Sequence, residues 1–460
     1  MKNVSLVFPR FKYPSGDIPY GIASLASYIR RELNVKISII DATFNPKMSY
    51  IESSLKQNKA DIVGIYVNTI AFYDALKVAK IAKKLGSFVV VGGPHATILP
   101  ETLINKEFID AVVIGEGEIT LKEIIQRIQS NKDLNGLKGI WHKDDNKIIK
   151  EDARPPIANL DNLPFPAWDL LDMRNYIKNW FQLDFVNPNL RGVNISGSRG
   201  CPFDCAFCQP TLRKIFGTKV RLRSPENVVE EIKTLKKLYK INAFWFLDDT
   251  LTGFRWWVEN FCNILKDEKI NLIWGCTTRA NLIDEKLMKM MRNVGLRKIS
   301  IGGESASQRV LDEIYNKGIK IEDVEKTARL AKKLGIIVQV FFMMGAPTET
   351  LREINKTIKF ASSIPSEEAT FSITTPLPCT HLYEYVKEHD FKLSENYEDF
   401  DYYSKKALLS NSLSSEKLKY LQKKAFIYFY LHPKRFTYLF KSLSSFKGIN
   451  KLRLKLKRII

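Results

Sequence analysis

"RGCPFDCAFCQP", residues 199–210, places Cys201, Cys205 and Cys208 in C-x3-C-x2-C spacing and holds half of the chain's six cysteines. Three thiols are one short of a closed tetrahedral zinc site, which takes four N or S ligands, commonly as two close pairs. The other cysteines, Cys262, Cys276 and Cys379, stand alone, and His95 and His142 lie in distant segments. A zinc knuckle is the competing reading, but no C-x2-C partner pair completes it. An iron–sulfur cube suits three cysteines better: it has four irons, so one is left open to bind a small molecule. The loop therefore predicts a vacant, reactive fourth position.

Working outward, "GVNISGSRG" (192–200) leads into the loop as a strand. "NAFWFLDD", "IWGCTTRA", "RKISIGGES", "IVQVFFMMG" and "ATFSITTPLP" follow as strand candidates. Helical stretches such as "PENVVEEIKTLKKLY", "DEKLMKMMRNVG" and "VEKTARLAKKLG" separate them, the last two closing on Gly as C-cap signals. About six strand–helix units predict a partial or full (β/α) barrel, with its chemistry at the C-terminal ends of the strands. The cysteines, Asp248, Asp249, Arg279, Glu304 and Gly345 all fall at or just beyond such ends.

Upstream, "VSLVF" (4–8), "VKISIID" (35–41), "DIVGIYV" (61–67), "SFVVVGG" (87–93) and "DAVVIGEGE" (110–118) alternate with helical patterns. This predicts a doubly wound parallel sheet of Rossmann or flavodoxin type, binding a ligand beyond its strand ends. "RPPIANLDNLPFPAWDLLD" (154–172) reads as an extended connector. The expected organisation is a ligand-binding domain over 1–134, a linker over 135–190, a barrel over 191–390 and a helical basic region over 391–460.

The net charge of +21 is uneven: no Asp or Glu follows Glu416, while Lys and Arg continue to Arg458. That places part of the charge in a tail and weakens the case for a basic nucleic-acid groove. In the tail, Phe436, Leu439, Phe440 and Leu443 recur as one amphipathic face, and "NKLRLKLKRII" alternates with period two. A basic amphipathic face of this kind suits peripheral contact with an anionic membrane; packing on the barrel is the plainer use. No apolar run approaches the roughly 20 residues of a membrane span and no secretory signal is evident, so the expected location is the cytoplasm. Trp245, Trp256, Trp257 and Cys262 read as packing residues.

The cysteine spacing and its flanks resemble the radical S-adenosylmethionine (SAM) superfamily. The resemblance implies a [4Fe–4S] cluster on Cys201, Cys205 and Cys208, with SAM on the open iron cleaved to a 5′-deoxyadenosyl radical. It implies that Phe207 lies by the adenine, that Asp248 of "FLDDT" (246–250) contacts SAM or substrate, and that Glu304 and Ser305 of "IGGES" (301–305) approach SAM's polar groups. Gly345 of "MGAPTET" (344–350) is similar to the turn that packs on the adenine. An external electron donor of flavodoxin or ferredoxin type is implied as well.

"IPYGIASLASYIR" (18–30), "VVVGGPHATILPETL" (89–103) and "AVVIGEGEITLKEII" (111–125) resemble the cobalamin-binding domain fused to many such enzymes, and "LPFPAWDLLD" and "FYLHPKRF" extend the likeness. That implies cobalamin held near Asn68, Thr69, Gly92, Gly93, Pro94 and Gly115, with His95 fixing its loop. One departure matters: cobalt-ligating domains carry D-x-H-x-x-G, and here "DATFNP" (41–46) puts Thr43 in place of His. Cobalamin is therefore expected without a lower histidine ligand. A second departure is Cys379 in "TPLPCTHLYE", where relatives usually carry Gly.

The family implies methyl transfer to an unactivated carbon of a small-molecule or lipid substrate, with ring formation, as in the anaerobic tetrapyrrole cyclases, as the alternative. A tRNA methylthiotransferase is disfavoured because no cysteine precedes Cys201. A zinc-containing basic nucleic-acid-binding protein is the alternative of another class.

Overall fold

The computed structural model describes residues 2–11, 16–145, 147–208, 211–401, 408 and 413–435. The chain divides into two compact units, Met1–Lys178 with Pro210–Leu222, and Asn179–Gln209 with Arg223–Ile460.

In the first unit, β1 (Asn3–Phe8), β2 (Lys36–Asp41), β3 (Ile62–Tyr66), β4 (Phe88–Gly92) and β5 (Ala111–Val113) run parallel. They are β-branched runs, as a sheet covered on both faces requires. The antiparallel strands β6 (Ile140–Asp144) and β7 (Lys147–Lys150) extend the sheet, giving the order β2-β1-β3-β4-β5-β6-β7. Order 2-1-3-4-5 is the flavodoxin-like doubly wound arrangement. The helix Phe72–Lys84 shows how the layers close: it buries Phe72, Ala75, Val78, Ala79 and Ala82 along one face. Val4, Leu6, Ile62, Val90 and Ile124 belong to the core.

The stretch expected as a linker is not one. Its first part forms the β6–β7 hairpin, Ala167 joins the core, and the unit continues to Lys178. Pro and Asn there shape a strap whose apolar residues still pack: Leu160, Trp168 and Tyr176 are all buried.

In the second unit, β8 (Gly192–Ile195), β9 (Ala243–Phe246), β10 (Ile273–Thr278), β11 (Leu296–Glu304), β12 (Ile337–Met344) and β13 (Glu368–Ile373) form one parallel sheet in sequential order. The helices Pro225–Tyr239, Arg255–Asp267, Glu285–Asn293, Ile321–Lys333 and Leu351–Ser363 supply the crossovers. With β8 and β13 at its edges, the sheet is a six-stranded partial barrel. Phe244, Phe246, Trp257, Phe261 and Trp274 pack ring on ring behind it. Trp245, Trp257 and Cys262 are buried as expected, but Trp256 is 55% exposed. The helix Arg255–Asp267 turns Trp257, Val258, Phe261, Cys262 and Leu265 inward, one position away.

Beyond the barrel, the helix Ser415–Tyr430 packs Leu418, Leu421, Ala425 and Phe429 inward. The amphipathic tail pattern at Phe436, Leu439, Phe440 and Leu443 lies outside the described residues. Among those described, no helix is long and apolar enough to cross a membrane.

Candidate functional site

The cysteine loop follows β8, at the C-terminal edge of the partial barrel. Backbone bonds pin it: Ala206 N donates to Tyr315 O (2.9 Å), Leu382 N to Ala206 O (2.9 Å) and Cys208 N to Cys205 O (3.0 Å). Asn316 Nδ2 donates to Asp204 O (3.1 Å). Phe207 meets Tyr315 edge-on at 5.0 Å, and Tyr315 Oη shares a 2.7 Å hydrogen bond with Thr374 Oγ1. None of the three cysteines is in a disulfide. Cys208 is exposed as a residue, yet enough chain crowds its sulfur to push the thiol up to about 12, with Cys205, Asp249 and Cys201 adding to the rise. The thiol is neutral near pH 7, and metal binding must displace its proton.

Three soft thiol donors on one loop suit an iron–sulfur cluster better than a hard cation. Among the described residues, no group of three or more His, Cys, Asp or Glu side chains is drawn together to hold a single metal ion. Beside the loop, the Nε of Arg279 is buried with no hydrogen-bond partner among those residues, and such an N–H costs about 1–3 kcal/mol until something accepts it.

The expected SAM residues divide. Glu304 reaches the barrel mouth. A register shift between Gly302 and Glu304 interrupts the β11–β12 pairing, and Glu304 adopts φ 50°. A bulge of this sort re-aims a side chain. The Glu304 carboxylate lies 2.8 Å from Lys317 Nζ, and that ammonium sits 5.5 Å from the Phe207 ring. Burial works against the charged Lys317, but Glu304 and Cys205 outweigh it and raise its pKa.

Asp248 is buried and acts as a brace. It accepts from Gly197 N (2.8 Å) and Ser198 Oγ (2.5 Å), holding the approach to the cysteines. Burial raises its pKa to about 6 against those two bonds. Ser305 does not reach the mouth: it is fully buried, its hydroxyl shared with Thr357 Oγ1 (3.3 Å) and accepting from Ser307 N (3.1 Å). Gly345, at φ 83°, donates its N–H to Glu349 Oε2 (2.7 Å), which shapes the turn after β12.

In the first unit, the expected cobalamin residues line the C-terminal ends of the adjacent strands β3, β4 and β5. Gly93 has φ 108°, and a Cβ there would stand 3.0 Å from both the Tyr66 ring and Val67 O, so glycine is required. Pro94 opens the short helix Pro94–Ile98. Thr97 Oγ1 donates to Gly93 O (3.0 Å) and accepts from Gly115 N (3.1 Å), tying the loops after β4 and β5 together. Asn68 Oδ1 accepts from Ala71 N (2.8 Å), and Thr69 Oγ1 lies 3.3 Å from His95 Nδ1. His95 is fully buried, and that burial lowers its pKa to about 4. It is a neutral loop anchor between Thr69 and Thr102.

After β2, Thr43 is buried where the histidine would stand. Asp41 Oδ1 accepts from Thr43 N (2.9 Å), and Tyr176 Oη is 2.5 Å from Asp41 Oδ2 and 3.1 Å from Thr43 Oγ1. That loop is closed by hydrogen bonds among Asp41, Thr43 and Tyr176, while the loops after β4 and β5 converge on Thr97 at the strand ends, where a ligand of a doubly wound sheet binds.

Comparison with known proteins agrees with this division. The Radical SAM superfamily model matches residues 195–361, and the B12 binding domain model matches residues 15–125. An uncharacterised methyltransferase of Pyrococcus horikoshii is 38% identical over 422 residues, spanning 90% of this chain and 88% of its own. The chain belongs to the B12-binding-domain radical SAM family. The anaerobic magnesium-protoporphyrin IX monomethyl ester cyclase of Rubrivivax gelatinosus is 30% identical over 415 residues, covering 87% of this chain and 71% of its own. The fold matches the radical SAM methyltransferase TsrM of Kitasatospora setae, solved with cobalamin and a [4Fe–4S] cluster, at TM-score 0.72 and 17% identity, over 91% of this chain and 81% of that one.

The chain is thus a radical SAM enzyme. Sequence reasoning missed the charged groups that face its cysteine loop from elsewhere in the barrel: Arg279, noted only as lying beyond a strand, and Lys317. It missed Tyr176 in the first unit as well. Nothing local signals these pairings; Tyr176 and Asp41 are 135 residues apart.

Proposed function

We propose that the protein is a cobalamin-dependent radical SAM methyltransferase acting on an unactivated carbon of a small-molecule or lipid substrate. The observation that carries this is the pairing, in one chain, of three cysteines on a barrel-mouth loop with a flavodoxin-like unit whose loops after β4 and β5 are tied together by Thr97 at the strand ends. When bound, the cluster and SAM supply a hydrogen-abstracting radical, and cobalamin supplies the methyl group. The chain's own residues bind and orient. Cys201, Cys205 and Cys208 would hold the cluster, Phe207 would flank the adenine, and Glu304, re-aimed by its bulge, would face SAM's polar groups. Gly345 shapes the adenine-side turn, and Asp248 holds the loop entry. Asn68, Thr69, Gly92, Gly93, Pro94 and Gly115 receive cobalamin. Thr43, locked by Tyr176 and Asp41, offers no imidazole, so this loop would supply no lower histidine to a bound cobalamin.

The electron comes from an external donor of flavodoxin or ferredoxin class. A nucleic-acid partner is not expected. Relatives named as cyclases favour ring formation as the second reading.

The test is anaerobic reconstitution with iron, sulfide and cobalamin, then reductant and SAM labelled in its methyl carbon. Label recovered in the cobalamin fraction, with a Co(II) EPR spectrum free of axial nitrogen splitting, is the expected result. Retained cobalamin without label transfer favours the cyclase reading, and failure to retain cobalamin contradicts both.

A further inference from the structure

Arg279 follows β10 directly and is 5% exposed, an unusual setting for a cation. Its guanidinium lies 3.8 Å from the Phe203 ring centroid. Nη1 donates to Cys205 Sγ at 3.3 Å, and Nη2 donates to the carbonyl oxygens of Lys317 and of Gly318, the latter at 3.3 Å. Phe203 and the bonds of Nη1 and Nη2 hold the guanidinium plane, and the buried Nε has no partner among the described residues. The other nearby cation, Lys317, is committed to Glu304 at 2.8 Å. Arg279 is therefore the fixed positive charge that the cysteine loop meets directly.

We propose that Arg279 is a positioning residue that raises the reduction potential of the iron–sulfur cluster by donating to the Cys205 sulfur. This rests on the reading that Cys201, Cys205 and Cys208 hold that cluster. Reduction adds one negative charge. A hydrogen bond to a ligand sulfur and a nearby cation both stabilise the reduced form, and such hydrogen bonds and charge are established levers on cluster potential. Phe203 and the two carbonyls fix the guanidinium, so the bond is made without searching side-chain rotamers. The electron enters from a low-potential flavodoxin- or ferredoxin-class donor. It leaves into the C–S bond of SAM, which breaks to methionine and a 5′-deoxyadenosyl radical. Arg279 changes neither electron nor proton count, only the potential at which the electron resides.

The experiment compares full-length wild type with Arg279→Gln, Arg279→Lys and Phe203→Leu, each reconstituted anaerobically with iron and sulfide. Iron and acid-labile sulfide per chain are measured first, and the midpoint potential then follows from EPR-monitored titration without SAM. At matched cluster content, Arg279→Gln should titrate at a more negative potential, with the reduced fraction lowered roughly tenfold at fixed potential, about 59 mV for one electron. Arg279→Lys and Phe203→Leu should fall between it and wild type. Equal midpoints across wild type and variants overturn the proposal. So does an unchanged midpoint with weakened SAM binding, which would place Arg279 on SAM instead. If Arg279→Gln takes up no cluster, the other two variants decide by the same criterion. A wild-type chain that takes up no cluster overturns the reading of the cysteines themselves, and is distinguished by its iron and sulfide content alone.

Discussion

A buried histidine can anchor a loop only while it stays neutral. His95, with its pKa lowered to about 4 by burial, binds fewer protons than the unfolded chain between that value and 6.5. Its contribution to stability is whole above pH 6.5 and is lost as pH falls toward 4. Between pH 6.5 and pH 5 this amounts to about 2 kcal/mol, from 1.36 kcal/mol per pKa unit. Urea unfolding should show wild type losing stability over that range and His95→Gln losing less; identical pH slopes would contradict the anchor role. At the same scale, the grouping of the three cysteines on one loop was legible because spacing carries it. The duties of Asp248 and Ser305 were not: whether a carboxylate or hydroxyl faces the mouth depends on which backbone N–H groups and side chains consume it. Asp248 spends both oxygens on Gly197 and Ser198.

At the scale of elements, two stretches are decided by their surroundings rather than by local chemistry. "IWHKDDNKIIK" (140–150) carries a strand–turn–strand signal but falls inside the linker expected over 135–190 from the Pro-rich stretch after it. The β5 edge decides the matter, since Val113 pairs with Ile140. At Cys379 the backbone sits at φ 64°, a left-handed conformation that explains the glycine usual there. Cys379→Gly should stabilise the protein by about 1 kcal/mol, the cost a side chain carries in that conformation, and leave 5′-deoxyadenosine yield unchanged. A lost yield would assign the thiol a chemical role.

The end of the helix Leu351–Ser363 depends on Arg435, whose guanidinium donates to the carbonyl oxygens of Ala361 (3.2 Å), Ser362 (3.1 Å), Ile364 (3.0 Å) and Ser366 (3.0 Å). Arg435→Ala should cost on the order of 3 kcal/mol, as buried charge-assisted bonds do. Hydrogen exchange should speed at 360–366 first; unchanged exchange there would contradict the cap.

At the scale of the molecule, the alternation of strand and helix made both units legible, because parallel sheets require it. Long-range pairings such as Arg279 with Cys205 were not, because they depend on where the crossovers return. Each unit carries its own core, and the cysteines lie on a loop beyond β8. Removing the cluster with chelator and oxidant should therefore leave the far-UV circular dichroism unchanged. Unfolding on chelation, the behaviour of small zinc-dependent folds, would contradict that.

A cluster held by three cysteines has one iron open, and SAM bound there can be split. The most direct measurement is 5′-deoxyadenosine formed from SAM by the anaerobically reconstituted full-length protein with a low-potential reductant. 5′-Deoxyadenosine and methionine in equal amounts are expected from wild type, and none from Cys205→Ala. No product from cluster-replete wild type, or equal product from the cysteine variant, would contradict it.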